Sequence, residues 1–237
     1  LMARGTRLAV LSNSGKRAAP NRARIAAMGF SSGLFDCVMT SGEALWRDIS
    51  NGTITERRFF PVERTKGDAG AWAADLAIDL TPDLNSAEAV LLMGLPDGTN
   101  LSDWQPLLEE AASRHLRIYC SNPDKASPRA GGQTVLSPGA LADNYTAAGG
   151  DVVYYGKPYK PVFDAVETAL GTNRLLMIGD SLEHDTAGAV AAGWDSVLIQ
   201  GGLYAADFST GDADRTLARL CAERNTPLPT FRLEVLR

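Results

Sequence analysis

Short apolar runs alternate along this chain with segments in which apolar and polar positions follow the spacing of a helix. The first run predicts a strand over Thr6–Leu11, followed by a helix over Arg17–Met28. A second strand over Asp36–Thr40 and a helix over Glu43–Ile49 repeat the order. Strands that alternate with amphipathic helices are typical of βα units and a parallel sheet. The pattern therefore predicts an α/β fold of the doubly wound, Rossmann-like type.

The middle of the chain predicts a second α/β module. Strands are expected over Arg57–Val62, Ala89–Leu95 and Arg117–Ser121. Helices are expected over Gly67–Ala77 and from an N-cap at Ser102 through Arg114, and Ala126–Gly132 is a Ser/Pro/Gly-rich loop. From about Gly149 the first pattern returns, with strands over Val152–Tyr155, Leu175–Ile178 and Ser196–Ile199 and helices over Pro161–Leu170, His184–Ala192 and Ala213–Arg224. We therefore predict a core of residues 1–51 and 149–237 with an inserted domain of residues 52–148.

The start of the chain has the pattern of a helix end. Leu1–Gly5 reads as the last turn of a helix closed by a glycine, with no helix before it. We expect that about one βα unit precedes these residues in the natural protein.

Composition narrows the class of protein. The 237 residues carry a net charge of −5, a pI near 5.1 and no dense cluster of Lys and Arg, which disfavours nucleic acid or an anionic membrane as the partner. No apolar run approaches the ~18 residues of a membrane span. Three cysteines without metal-type spacing, Cys37, Cys120 and Cys221, favour a reduced, cytoplasmic setting and buried thiols.

Two carboxylates follow the strand that ends in Met177-Ile178. Gly179 permits a tight turn, Asp180 comes directly after it, and Asp185 stands at the start of the next helix. Carboxylate oxygens of this kind suit Mg²⁺, which takes one or two carboxylates together with water and phosphate oxygens. Asp185 alone would be interpreted as a helix cap and Asp180 as a turn residue, but the pair after a strand favours a metal site.

Two further strand ends carry groups that can hold a phosphate. Ser12-Asn13-Ser14-Gly15 joins a strand to a helix, where hydroxyls and backbone N–H groups form an anion seat, although simple helix capping explains it equally well. Lys157 follows a strand in a rigid Gly-Lys-Pro turn and is placed to neutralise a transferring phosphoryl group, although taken alone it is explained as well by a solvated surface lysine. The carboxyl ends of parallel strands are where ligands bind in open α/β sheets, so one shared site is expected.

Together these motifs resemble those of the haloacid dehalogenase superfamily of aspartate-nucleophile phosphohydrolases, and within it class IIA. Leu11-Ser12-Asn13 resembles motif two, Gly156-Lys157-Pro158 motif three, and Gly179-Asp180 through Asp185 motif four. Asn122-Pro123-Asp124 is similar to a signature at the end of the class IIA cap domain. The likeness covers nearly the whole chain.

The resemblance implies a role for each matching residue. Ser12 and Lys157 would be catalytic, Ser12, Asn13 and Lys157 would bind the phosphoryl group, and Asp180 and Asp185 would hold Mg²⁺. The loop after the cap signature would select the substrate through Asn122, Asp124, Lys125 and Arg129. The resemblance also implies that the inserted residues 52–148 form the cap. Relatives with such caps often dimerise, so a homodimer is expected.

The superfamily's first motif, an Asp-x-Asp pair after a strand, has no match before Ser12. One carboxylate of that pair attacks phosphorus and the other transfers a proton. Leu95-Pro96-Asp97-Gly98-Thr99 ends like this motif, but Leu95 stands at the nucleophile's position and cannot attack. Either a preceding segment of the natural protein carries the pair or the protein is a non-catalytic relative. We favour the former, since the absence of a central strand would leave backbone groups unpaired.

We therefore expect a Mg²⁺-dependent phosphatase of small phosphorylated metabolites that works through an aspartyl-phosphate and is inactive without its motif-one aspartate. The alternative is a phosphometabolite-binding or scaffold protein without catalysis.

Overall fold

The computed structural model describes residues 5–31, 33–128 and 132–236. The chain forms two compact units, Leu1–Gly156 and Lys157–Arg237. In both units parallel strands alternate with helices, which confirms the predicted α/β fold.

The first unit contains three groups of strands. The elements are β1 Ala9–Ser12, α1 Ala18–Ala27, β2 Cys37–Thr40, α2 Ser41–Ser50, β3 Arg58–Val62, α3 Asp68–Trp72, β4 Asp79–Leu80, β5 Ala89–Leu92, α4 Leu101–Ser113, β6 Arg117–Cys120, β7 Ala126–Pro128, β8 Thr134–Leu136, α5 Pro138–Ala147 and β9 Val152–Tyr154, with a 3-10 turn at Leu84–Ser86. β1 and β2 form a parallel pair, β7 and β8 an antiparallel hairpin, and the remaining strands a parallel sheet in the order β4-β3-β5-β6-β9.

The five-stranded sheet has β5 at its centre. All four residues of β5 are buried, as expected for a parallel strand covered on both faces. Val90 and Leu92 share one core cluster with Ile118 of β6 and with Leu108 of α4 and Leu141 of α5. Burial of these side chains is the main source of stability for this sheet.

Val152–Tyr154, which the sequence pattern groups with residues 149–237, pairs with β6 in this sheet, Ile118 lying opposite Val152. The division into a core and an inserted domain stays a prediction.

Several elements differ from the sequence pattern for local reasons. α4 begins one residue before Ser102, because Asn100 is the N-cap and forms a capping box with Asp103. α3 ends at Trp72 instead of Ala77, and Asp75 beyond it has a positive φ of 69° that no helix tolerates. The pattern missed six elements in which proline, glycine or short length hides the periodicity: β4, β7, β8, α5 and, in the second unit, the helix Ala205–Phe208 and the strand Phe231–Leu233.

The second unit contains α6 Lys160–Leu170, β10 Leu176–Gly179, α7 Ala187–Ala191, β11 Asp195–Ile199, α8 Ala205–Phe208, α9 Ala213–Arg224 and β12 Phe231–Leu233. Its parallel sheet has the order β10-β11-β12, so β10 is an edge strand, and Leu176 and Ile178 on it are half-exposed. Instead of the predicted helix from His184, a π-helical turn over Leu182–Thr186 leads into α7. Gly188 lets α7 approach α6, because a Cβ there would lie 2.4 Å from the ring of Phe163.

The three cysteines are free and buried, as predicted, and burial raises the pKa of the Cys120 thiol to about 12. None of the helices in the described ranges has the length and apolar character needed to cross a membrane.

We expect the Leu92→Ala variant to lose about 2–5 kcal/mol of unfolding free energy, because it removes a fully buried side chain at the sheet's centre. Urea unfolding followed by circular dichroism measures the loss. The control is Leu228→Ala at an exposed position, which should change stability by less than about 0.5 kcal/mol. Equal losses for both variants would contradict the assigned core.

Candidate functional site

The turn after β1 leaves the Ser12 hydroxyl able to donate a hydrogen bond. Its Oγ accepts the backbone N–H of Ser14 at 3.3 Å, which closes a short turn. A hydroxyl that accepts one bond keeps its proton for another acceptor, and none of the described residues accepts that proton. The Ser12 hydroxyl therefore has a proton to donate, and its predicted role toward a phosphoryl oxygen stays a prediction.

The helix end beside this turn is already occupied by a carboxylate. Glu43 Oε2 accepts the N–H of Ala18 at 3.0 Å and the Nε–H of Arg17 at 2.7 Å. Glu43 thus fills the anion seat at the start of α1 that the sequence suggested for phosphate. Burial opposes ionisation of Glu43, but the bonds from Arg17 and Ala18 outweigh it and lower its pKa from 4.5.

Asn13 ties β1 to the loop after β6. Its Nδ2 donates to Asp124 Oδ1 at 2.9 Å, and Asn122 Oδ1 accepts the N–H of Asp124 at 3.0 Å. Gly156 packs against this junction with a φ of 113°, and a Cβ there would lie 2.6 Å from Pro123 Cδ and 2.9 Å from Asn13 Oδ1. The structure therefore brings Asn13 together with two of the predicted substrate-selecting residues, and only glycine fits at position 156.

The predicted substrate-selecting residues have different surroundings. Asn122 lines a cavity of about 570 Å³ within the first unit. Lys125 pairs with Asp143 at 2.5 Å, and Arg129 lies outside the described residues. The assignment of these four residues stays a prediction, and of the three that the structure describes Asn122 lines the cavity.

In the second unit the carboxylate of Asp185 joins Lys157 to the turn after β10. Lys157 Nζ lies 2.7 Å from Asp185 Oδ1, and both side chains are largely buried. Asp185 Oδ2 accepts the N–H groups of Asp180 and Ser181, each at 3.1 Å. Both oxygens of Asp185 are engaged, so its geometry is that of a residue that positions Lys157 and the turn.

Gly179 is required for this arrangement. A Cβ at position 179 would lie 2.1 Å from Asp185 Oδ2, closer than any real contact. The Gly-Asp pair that the sequence analysis read as a tight turn is therefore a close approach between backbone and carboxylate.

Asp180 keeps one carboxylate oxygen available. Its Oδ2 accepts the N–H of Leu203 at 3.2 Å, and in the described part of the chain Oδ1 has no hydrogen-bond partner. Gly202 allows this contact, because a Cβ there would lie 2.3 Å from Asp180 Cβ. A single hard oxygen fits Mg²⁺, whose other ligands are often water and substrate phosphate. Residues 5–31, 33–128 and 132–236 hold no cluster of three or more His, Cys, Asp or Glu that could bind a metal by itself.

The chain's Asp-x-Asp sequence, Asp212-Ala213-Asp214, is structural. Asp212 Oδ1 accepts the N–H of Arg215 at the start of α9, and Asp214 pairs with Arg232 at 2.8 Å. The pair begins a helix and does not end a strand, so it is no substitute for the missing first motif.

Sequence reasoning missed Glu43 and Gly202. A signal for Glu43 existed, since Thr40-x-x-Glu43 after a strand is a capping-box pattern, and Thr40 Oγ1 accepts the N–H of Glu43 at 2.9 Å. The sequence gave no signal for Gly202, because its role depends on a contact with Asp180, which lies 22 positions earlier in the chain.

The chain is similar in sequence to a family of hydrolases and to a phosphatase. The model of the HAD-hydrolase-like family matches residues 154–219. Dihydroxyacetone phosphatase of Corynebacterium glutamicum (strain R) is 28% identical over 134 residues, which are 52% of this chain and 48% of that protein. The match thus spans about half the length of the curated relative.

Two solved structures cover almost all of the chain. A haloacid dehalogenase-like hydrolase from Brucella suis 1330 is 28% identical, with a TM-score of 0.76 over 100% of this chain and 85% of the other. The p-nitrophenyl phosphatase from Archaeoglobus fulgidus is 21% identical, has a TM-score of 0.74 and covers 99% and 85%, a likeness of fold alone. In sequence and fold the chain is therefore similar to hydrolases of the haloacid dehalogenase superfamily.

We expect Gly179→Ala to lower the unfolding free energy by about 1–3 kcal/mol, because the new methyl group displaces the Asp185 carboxylate from two backbone N–H groups. Urea unfolding measures the change. The matched control is Gly70→Ala in α3, where nothing lies within 4 Å of the added Cβ and stability should stay equal or rise by up to ~1 kcal/mol. An unchanged stability of Gly179→Ala would contradict the close approach.

We expect Glu43→Gln to cost about 1–2 kcal/mol at neutral pH, since it removes the charge that accepts bonds from Arg17 and Ala18. The folded-state pKa of Glu43 is lowered, so its contribution is present above the ordinary value of 4.5 and is lost as the pH falls through the folded pKa. The stability difference between wild type and variant should therefore shrink below pH 4.5. Denaturant titrations at several pH values test this. Glu110→Gln on the exposed side of α4 is the control, with little change at any pH.

Proposed function

We propose that this protein is a Mg²⁺-dependent phosphohydrolase of class IIA in its superfamily and acts on a small phosphorylated metabolite. The observation that carries the proposal is the Lys157–Asp185 pair fixed against the Gly179-Asp180 turn. It presents a cation and an available carboxylate oxygen, which are the groups that phosphoryl transfer needs. The phosphatase activity named for the Corynebacterium relative supports the same reaction class.

Each residue has a part in the proposed chemistry. The Ser12 hydroxyl donates to a phosphoryl oxygen, Lys157 neutralises negative charge there, and Asp185 orients Lys157. Asp180 would hold Mg²⁺, which when bound supplies further positive charge to the phosphate. Asn13 donates a hydrogen bond to Asp124 and so holds the loop after β6 in place. The order of the three motifs along the chain, rather than any distance, supports assigning them to one reaction.

The nucleophile of this proposal is a carboxylate outside the 237 residues. Its attack on phosphorus would expel the alcohol and form an aspartyl-phosphate, which water then hydrolyses. The class IIA assignment is supported by Asn122-Pro123-Asp124, whose loop is held by Asn13. We further propose a cytoplasmic setting and a homodimer, with no nucleic acid or membrane partner.

A second candidate is a phosphometabolite-binding protein without catalysis. It is favoured by one observation, that the chain's only Asp-x-Asp caps a helix and pairs with Arg232. It predicts that phosphorylated ligands raise the melting temperature and are not hydrolysed.

Phosphate release from p-nitrophenyl phosphate with Mg²⁺ decides between the candidates, measured on the protein expressed from its complete gene. We expect turnover that chelation by EDTA abolishes and that Asp180→Ala lowers by about 100-fold or more, as for loss of one charge-stabilising group. The matched control is Asp164→Ala, a carboxylate on α6 that pairs with Lys160 at the surface, which should keep its activity. If the wild-type protein turned over substrate no faster than Asp180→Ala, catalysis would be rejected. If phosphorylated ligands raised the melting temperature without being hydrolysed, the binding protein would be favoured.

A further inference from the structure

The cavity of about 570 Å³ lies wholly within the first unit and begins where the Ser12 turn ends. Ser14, Gly15 and Lys16 form one wall, directly after Ser12 in the chain. Arg17, the N-cap of α1, and Arg24 within α1 also line the cavity, and Asn122 contributes from the loop after β6. Ligand cavities commonly measure about 300–1,000 Å³, so this one has the size for a small metabolite.

The charge on the cavity wall is opposite to that of the chain. Although the chain carries −5 in total, the lining contains four cationic side chains and one carboxylate, Asp68. Two of the cations are already paired, Arg17 with Glu43 at 2.7 Å and Arg64 with Asp97 at 2.6 Å. A basic patch on an acidic protein selects for negatively charged ligands.

Lys16 and Arg24 remain without an ion-pair partner among the residues that the structure describes. Both are exposed at the cavity. Their charges are therefore available to a ligand and need no carboxylate of the protein to be displaced first.

The remaining lining is mainly apolar, with one amide. Trp72 and Leu95 are buried, and Leu136 is half-buried. The Asn122 Nδ2 group makes no hydrogen bond with any described residue, while its Oδ1 accepts from Asp124. An occupant with a short carbon body, a hydrogen-bond acceptor and an anionic end would match these groups.

We infer that this cavity binds the leaving group of the substrate, and that the leaving group carries a second anionic group, a carboxylate or a further phosphate, which Lys16 and Arg24 recognise. The inference rests on the proposed phosphatase function and deepens it, because it makes the substrate class a short phosphate monoester with two separate negative groups. Lys16 and Arg24 are then specificity-determining residues.

Binding of unreactive phosphonate analogues to the protein expressed from its complete gene tests the inference without any catalytic step. Isothermal titration calorimetry with Mg²⁺ compares phosphonoacetate, methylenediphosphonate and ethylphosphonate, of which only the last lacks a second anionic group. We expect at least one of the first two to bind about tenfold more tightly than ethylphosphonate, as two solvent-exposed ion pairs allow. Tighter binding of phosphonoacetate would indicate a carboxylate as the second anionic group, and tighter binding of methylenediphosphonate would indicate a phosphate.

The double variant Lys16→Met with Arg24→Gln should reduce this preference to about twofold or less. Lys66→Met, an exposed lysine of the same unit that does not line the cavity, should leave the preference intact. Equal affinity for all three analogues, no binding of any, or an undiminished preference in the double variant would overturn the inference. Melting temperatures of the variants show whether the fold is retained, and Arg24→Gln alone serves if the double variant does not fold.

The outcomes separate the inference from the proposed function. Asp180-dependent release of phosphate from p-nitrophenyl phosphate, without a preference for a second anionic group, overturns the inference and leaves the phosphatase standing. A preference that needs Lys16 and Arg24, without phosphate release, supports the anion subsite and rejects the phosphatase.

Discussion

The carboxylate of Asp185 is the group on which the arrangement of Lys157 and the turn after β10 depends. It is buried, and a buried charge is stable only when it is paired and hydrogen-bonded. Lys157 supplies the pairing at 2.7 Å, and the backbone N–H groups of Asp180 and Ser181 supply the bonds. Because these N–H groups must approach the carboxylate closely, position 179 has no room for a Cβ. One electrostatic requirement thus explains the glycine, the lysine and the direction of the turn that carries Asp180.

In the first unit a carboxylate likewise accepts backbone N–H groups, here at the start of α1. The free N–H groups of a helix attract an anion, and Glu43 provides it from within the protein. The Ser12 hydroxyl then keeps its own proton for another acceptor. The same carboxylate holds Arg17, a lining residue of the cavity, so the helix end and the cavity wall are tied together. The turn after β1 therefore presents a hydroxyl and not a bare helix end.

The sequence could suggest candidate site residues but not their contacts. Ser12, Lys157 and Asp180 were predicted because each follows an apolar strand, a signal contained in a few neighbouring residues, and their roles stay predictions. Asn13 was predicted to bind phosphate, yet its amide bonds to Asp124, 111 positions away. Asp185 was predicted to support the metal directly or through water, which stays a prediction, and the sequence did not show that its two oxygens contact Lys157 and the turn after β10. The cavity gave no signal at all, since its basic residues come from separate elements.

The sequence by itself determined the alternation of strands and helices and the polar residues at the strand ends, because both depend on periodicity and on short turns. Only the tertiary structure decided which carboxylate is left available, which is used as support, and where the unpaired cations gather. These outcomes depend on side chains that are distant along the chain, and local patterns carry no information about such pairs. The free oxygen of Asp180 and the engaged oxygens of Asp185 come from residues of the same type, and their neighbours in space alone distinguish them.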